Sequence, residues 1–226
     1  MARTKSLGTL QTEIRGRGEI RTNYVSAAEL IAWINGSIAE LYELLVNVNK
    51  DFYRSYHDIT VVSGTGTYAL DTDHYRLTGV DVQDGSNWYR LRRFNPEERN
   101  RLQGSGASKR ETMYRAMGRT NLILAPTPSW GGTVRVWYIP NPPNYATDGS
   151  ENSNTFDYIA GWEEYVITDC LIKFAGKEES DASLYAAQKN ALIRRIKSMA
   201  ADLDDAEPDR IRDEWSVDDW PTYWNP

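Results

Sequence analysis

The chain has 226 residues, 40 % of them hydrophobic and 26 % charged, with a formal net charge of −6. That composition can bury one core with an insertion, or two small cores, and excludes a chain disordered throughout. The single cysteine, Cys170, excludes an internal disulfide and favours assembly in a reducing cytoplasm.

The first residues, Met1 to Gly8, lack the apolar stretch of a secretory leader, so none is expected. Residues 8–19 alternate poorly and contain Arg15-Gly16-Arg17-Gly18, which predicts at most a short, frayed helix. From Ser26 the pattern changes. Ser26 with Glu29 three residues on has capping-box spacing, and Leu30, Ile31, Ile34, Ile38, Leu41, Leu45 and Val48 follow on one helical face, predicting a helix over 26–49. Asn35, Glu40 and Glu43 interrupt its apolar run, and no stretch approaches the roughly 20 apolar residues that span a bilayer.

Between about residues 52 and 140 the period moves towards two and Thr, Val, Tyr and Trp become frequent, the mark of strands. Strands are predicted at Ile59–Ser63, Thr67–Leu70, Leu77–Gln83, Trp88–Arg93, Thr120–Leu124 and Thr133–Ile139. Turns are expected at Ser63–Gly66 and Asp84–Asn87, a helical turn at Asn95–Glu98, and a mobile Gly/Ser-rich loop at Gln103–Ser108. Pro140-Asn141-Pro142-Pro143 closes the region, and polar Thr147–Thr155 reads as a linker.

Helical signals then resume. Trp162, Tyr165, Val166, Cys170 and Phe174 share one face of a helix over about 160–178 that stops near Gly176. After Asp181, a capping candidate, Leu184, Ala187, Ala191, Leu192, Ile196, Met199 and Leu203 mark a second helix, and the short spacing predicts an antiparallel pair. The expected fold class is α+β: an antiparallel helical bundle (26–50 and 156–206) carrying an inserted β-rich domain (51–145) between the first long helix and the two C-terminal helices. An N-terminal segment (1–25) precedes it and an extended C-terminal arm (207–226) follows.

That arm concentrates two properties. Residues 202–226 hold nine acids against two bases, a charge of −7, and the preceding 201 residues sum to +1. Three of the eight tryptophans lie in the last dozen residues, where two prolines and the absence of a helical period argue against a helix. Trp215, Trp220, Tyr223 and Trp224 would anchor on a partner, and Asp218 and Asp219 would help to set the register of docking.

Motifs of catalysis are absent: the chain has no P-loop, His-Glu-x-x-His, Gly-x-Ser-x-Gly, Cys-x-x-Cys or Gly-x-Gly-x-x-Gly. Ser63–Gly66 leads into a strand, which makes it a hairpin turn and not a phosphate cradle. His57 and His74, each beside aspartates, lie in turn-like sequence and lack the converging ligands of a metal centre, so no metal or cofactor is expected. Cys170 reads as a small hydrophobe and the paired acids as solvated helix faces.

The stretch from Trp88 to Arg119 is basic, with Arg90, Arg92, Arg93, Arg99, Arg101, Lys109, Arg110, Arg115 and Arg119 against three glutamates and with Tyr89, Phe94 and Tyr114 interleaved. Such a stretch suits either a nucleic-acid backbone or contacts between subunits. A glycan-binding face built on Tyr68, Trp88 and Trp137 is a third reading, but most of those rings are expected to alternate into a strand core instead.

The order of segments resembles the head-to-tail connector, or adaptor, proteins of tailed bacteriophages. The likeness rests on Ser26–Leu45 followed by Asp51-Phe52-Tyr53, on Tyr68–Arg76 with Asp71 where those proteins usually carry proline, on Val136–Pro143, on Trp162–Val166 and on Pro208–Asp213. It implies a non-enzymatic virion protein of the neck, assembled in the host cytoplasm as a ring, commonly of twelve copies, under the portal protein. A tail or second neck protein would bind below and DNA would pass through the lumen. The resemblance also implies that C-terminal arms reach into the portal. Portal or adjacent subunit as the arm's groove, and DNA or a neighbour's acids as the partner of the basic stretch, both stay open.

Overall fold

The computed structural model describes residues 5–98, 101–102, 104–145, 155–156 and 161–201. The chain is α+β, with strands from β1 to β12 and helices from α1 to α4 in chain order among these residues.

A short strand β1 (Lys5–Ser6) leads directly into α1 (Leu7–Gly18). This helix is twelve residues long and capped at both ends, not the short, frayed helix expected over 8–19, because Leu7, Leu10 and Ile14 recur at steps of three and four and bury completely against the other helices. Ser6 caps it by accepting from the Thr9 N–H, and Glu19 ends it in the left-handed conformation at φ 51°. Helix α2 (Ala27–Val48) begins as expected, Ser26 Oγ accepting from the Glu29 N–H at 3.1 Å. The Glu29 carboxylate turns instead to Lys177 Nζ, 2.8 Å away on another helix.

Beyond α2 the chain forms β2 (Ser55–Val61), β3 (Thr67–Ala69), β4 (His74–Asp84), β5 (Asn87–Arg90) and β6 (Arg92–Arg93), then a 3-10 turn at Pro96–Glu98. β7 (Ser105–Ala107), β8 (Met113–Met117), β9 (Asn121–Ala125), β10 (Thr127–Pro128) and β11 (Gly132–Pro140) complete this part. Two four-stranded sheets result, ordered β2-β11-β4-β5 and β3-β9-β8-β6. Val61, Val80, Val82, Val134 and Val136 of the first and Tyr114, Leu122 and Leu124 of the second share one core, so the inner faces of the sheets are packed together.

Two expectations fail here and one strand was missed. The single strand expected at Trp88–Arg93 is split at Leu91 into β5 and β6, which belong to different sheets. The Gly/Ser-rich stretch around residue 105 is not a free loop, since Ser105–Ala107 pairs in parallel with Thr127–Pro128. Strand β8 was not foreseen; its Arg115 and Met117 lie among apolar residues and blur the alternation, although Tyr114 and Leu124 sit opposite each other on the buried face.

After β11 the return segment is clasped to α2. Asn35 Nδ2 donates to the Tyr145 carbonyl at 2.8 Å, and the Tyr145 N–H donates to Asn35 Oδ1 at 2.9 Å. The polar interruption of the first long helix is thus a two-point anchor. Strand β12 (Thr155–Phe156) pairs with β1 and drops Phe156 into the helical core, so the end of the expected linker is ordered.

Helices α3 (Glu163–Lys177) and α4 (Ser183–Ala201) follow. Asp181 bonds the Ser183 N–H at 2.8 Å, as a residue placed to start the last helix should. Lys189 meets Asp169 while Arg195 reaches the Gly161 carbonyl, so α4 runs antiparallel to α3. Cys170 is fully buried beside Ile34, Ile38, Trp162 and Ile196 in the core of the helices.

The helices meet the sheets through aromatic contacts. Tyr42 and Tyr53 stack at 4.3 Å, Phe52 stacks on Trp162 at 5.8 Å, and the Tyr42 hydroxyl donates to the Pro140 carbonyl at 2.6 Å. Burial pushes the Tyr42 hydroxyl well above its ordinary pKa, with Asp73 adding to the effect, so it remains a donor at any physiological pH.

Candidate interaction surfaces

No cluster of three or more His, Cys, Asp or Glu side chains capable of holding a metal occurs among the described residues. His74 is buried with both ring nitrogens unpartnered, its ring stacked on Tyr138 while His57 approaches Tyr138 edge-on at 5.3 Å. Desolvation lowers its pKa, and the neighbouring His57 and Arg119 act in the same direction. Cys170 has its thiol pushed up to about 12 by burial, with hydrogen bonding from Ser37 only partly opposing this, which leaves it protonated.

The most elaborate polar constellation lies between helices and was not foreseen. Asp169, on α3, accepts from Ser37 Oγ of α2 at 2.6 Å and from Lys189 Nζ of α4 at 2.6 Å, and pairs with Lys173 at 2.7 Å. Lys189 also bonds Glu40 at 2.8 Å and Lys173 bonds Ser37 at 2.9 Å. Burial alone would raise the pKa of Asp169, but the bonds from Lys173, Lys189 and Ser37 outweigh it and hold the carboxylate below its ordinary value. A network with every member bonded fixes the register of three helices, a structural task. In sequence these residues look like ordinary polar positions of helical faces, because only folding brings 37, 169 and 189 together.

The basic stretch does not form one stripe. Arg90 stands on the outer face of the first sheet, and Arg92 and Arg93 are exposed on β6. Arg99 lies outside the described residues, and Arg101 pairs with Glu98 at 3.1 Å. Lys109 donates to the Gln83 carbonyl at 2.9 Å, and Arg110 stacks on Tyr89 with its guanidinium 4.4 Å from the ring centre. Arg115 donates to the Phe94 carbonyl at 3.0 Å, and Arg119 reaches Asn141 at 3.4 Å. Strand alternation sends neighbouring positions to opposite faces, and Arg101, Lys109, Arg110 and Arg119 fall in turns. The arm residues Trp215, Asp218, Asp219, Trp220, Tyr223 and Trp224 lie outside the described residues.

Two surfaces of the β part stand out. On the outer face of the first sheet, Arg135 lies between Tyr56 and Trp88, 4.0 and 4.3 Å from their ring centres, and forms a two-point pair with Asp58 at 2.8 and 3.0 Å. Beside it Trp137 donates to Asp81 at 2.6 Å and carries Arg54 over its ring. Trp88 and Trp137 therefore do not alternate into the core, contrary to expectation. Tyr68 does not join them: its hydroxyl pins the turn after β2 by accepting from the Val62 N–H, with its single proton shared between the Val62 and Thr65 carbonyls.

The other surface is a groove of about 780 Å³ on the outer face of the second sheet. Phe94, Pro96, Leu102, Met117, Ile123 and Ala125 line it together with Arg115. Neither surface assembles a nucleophile with a base, and both have the Trp/Tyr/Arg or apolar-plus-arginine make-up of contact surfaces.

The model of one protein family, described as SU10 adaptor protein, matches residues 5–218. The chain belongs to that family. No curated protein matches it significantly. As an SU10 adaptor it is a structural component of the phage virion, acting at the head–tail junction and binding other head or tail proteins, in a family that is typically non-enzymatic. No helix among its described residues is long and apolar enough to cross a membrane.

Proposed function

We propose that this SU10 adaptor assembles as a ring, commonly of twelve copies, between the portal protein and a tail or second neck protein. The helices with their β insertion form the body of each subunit, and DNA passes through the lumen. The C-terminal arm anchors the subunit, charge setting its register and Trp215, Trp220, Tyr223 and Trp224 supplying apolar contact. One observation carries the reading: a family match spanning residues 5–218 on a chain whose last 25 residues bear a charge of −7 and three tryptophans.

The ordering of the body supports a subunit that is stiff before it docks. Tyr42, Phe52, Tyr53 and Trp162 tie helices to sheets, and the Asp169 network ties helices to one another. The alternative of a nucleic-acid-binding module draws no comparable support, because the basic side chains from Arg90 to Arg119 are spread over several faces and many are already bonded internally.

Electron micrographs of the purified chain with its portal protein test the proposal, with rings on the portal as the expected result. A chain that stays monomeric with portal and is missing from purified virions would refute it. Truncation after Ala206 is expected to leave the body folded and to abolish docking. Equal docking with and without the arm would remove the arm from the proposal.

A further inference from the structure

We propose that the groove on the outer face of the second sheet is the receptor for the chain's own C-terminal segment, Trp215–Trp224. This rests on the adaptor reading only in taking the arm as a docking element; it adds where on the chain the element lodges.

The groove has the right chemistry for that segment. Its floor and walls are Phe94, Pro96, Leu102, Met117, Ile123 and Ala125, and Met117 is 55 % exposed although it is a large apolar side chain on a strand. A volume of about 780 Å³ suits two or three large side chains. Register places Arg92 opposite Met113, hence on the same face as Arg115 and Met117. Among the described residues neither Arg92 nor Arg115 has a carboxylate partner, and the Arg115 guanidinium is held at the groove by its bond to the Phe94 carbonyl. The segment offers the complement: Asp218 and Asp219 between Trp215 and Trp220, with Tyr223 and Trp224 beyond.

The aromatic face of the first sheet fits less well. Two of its three arginines are already matched, Arg135 to Asp58 and Arg54 to Asp51, and Asp81, which is engaged by Trp137, lies across the strands from the third, Arg90. The groove instead combines an apolar lining with Arg115, and Arg92 stands on the same sheet face.

Lys197 on α4 lines the same hollow as Asn47 and Val48, the last turn of α2, so α4 finishes at the end of the helices from which the sheets begin. The thirteen residues between Ala201 and Trp215 make fourteen steps along the chain and can extend about 45 Å, at ~3.3 Å per step, towards the groove of the same chain or of an adjoining copy.

The test is disulfide trapping in the full-length chain carrying Thr222→Cys with Met117→Cys, compared with Thr222→Cys with the exposed control Tyr56→Cys on the first sheet. Cys170 is buried and protonated and stays out of the exchange. Docking raises the local concentration of the two thiols, so trapping at Met117 is expected to be at least about ten-fold faster than at Tyr56. Arg92→Glu or Trp220→Ala should slow it several-fold. A ladder of multimers would place the segment in a neighbour's groove and support both the assignment and the arm's anchoring role, whereas a fast-migrating monomer would place it in its own chain, supporting the groove but removing the arm as an anchor between subunits. Equal rates at Met117 and Tyr56, no trapping at Met117, or indifference to Arg92→Glu and Trp220→Ala together would overturn it. Rings on portal are scored separately by microscopy: rings without trapping refute only the groove, whereas trapping without rings refutes the adaptor assembly.

Discussion

Replacing Asp169 with alanine is expected to destabilise the chain by about 3 kcal/mol, at the lower end of the ~3–5 kcal/mol typical when one partner of a buried pair is removed. The carboxylate is 4 % exposed and receives Ser37, Lys173 and Lys189 within 2.7 Å. The lower end applies because the side chains of Lys173 and Lys189 are 29 % and 21 % exposed and Lys189 keeps Glu40, so both ammonium groups can regain partners or water. For a chain of this size that is a fall in Tm of roughly 6–12 °C, read by far-UV circular dichroism. Glu164→Gln is the control: its pair with Arg17 is a surface contact between α1 and α3 and is worth about 0–1 kcal/mol. The folded-state pKa of Asp169 is depressed, so its contribution is complete above the ordinary carboxylate value and is lost as pH falls through the folded one. The Asp169→Ala penalty should therefore be level between about pH 5 and 7 and shrink in stronger acid. A penalty within about 1 kcal/mol of the Glu164→Gln value would refute the view that this network locks the helices.

His74 gives a second pH test with the opposite group. Its folded pKa is lowered by burial, so the folded state resists protonation and stability is full above the ordinary imidazole value of about 6.5, declining as pH falls below it. His74→Phe should flatten the fall in urea midpoint between about pH 7 and 5, and an unchanged slope would exclude His74 as its source. Cys170 should resist a thiol reagent at mildly alkaline pH until denaturant is added; prompt labelling of the native chain would contradict its burial. Gly18→Ala would put a methyl 2.9 Å from Leu171 Cδ2 and 2.8 Å from Ile20 Cγ1, which should cost about 1–3 kcal/mol in a denaturant titration, while Gly16→Ala, with open space at that position, should not destabilise.

Much of the chain's local structure is legible along the sequence, because local structure depends on neighbours. The 3.6-residue period of Leu30 to Val48, the Ser26 cap and the two-residue period around Val80 and Val134 yield helix and strands close to their observed bounds. The misses have physical causes. Helix α1 holds only three buried apolar residues and two glycines near its end, so its stability comes from packing against α3 more than from propensity. Ser105–Ala107 looks like a loop until Thr127–Pro128 supplies hydrogen-bond partners from more than twenty residues away. Trp88 and Trp137 were expected inside because strand aromatics usually are, whereas register puts them outside with Tyr56 and Arg135.

The sequence by itself determined the α+β class, the likeness to phage adaptors, the −7 arm and the absence of any recognisable catalytic motif, since each depends on composition, period or spacing. Tertiary structure alone decided that the arginines from 90 to 119 part onto different faces, that Asp169 unites three helices, and that an apolar groove lined also by Arg115 opens on the second sheet. Charge and polarity are properties of a residue, but whether a charge is bonded, buried or offered to a partner depends on side chains that folding gathers from distant parts of the chain.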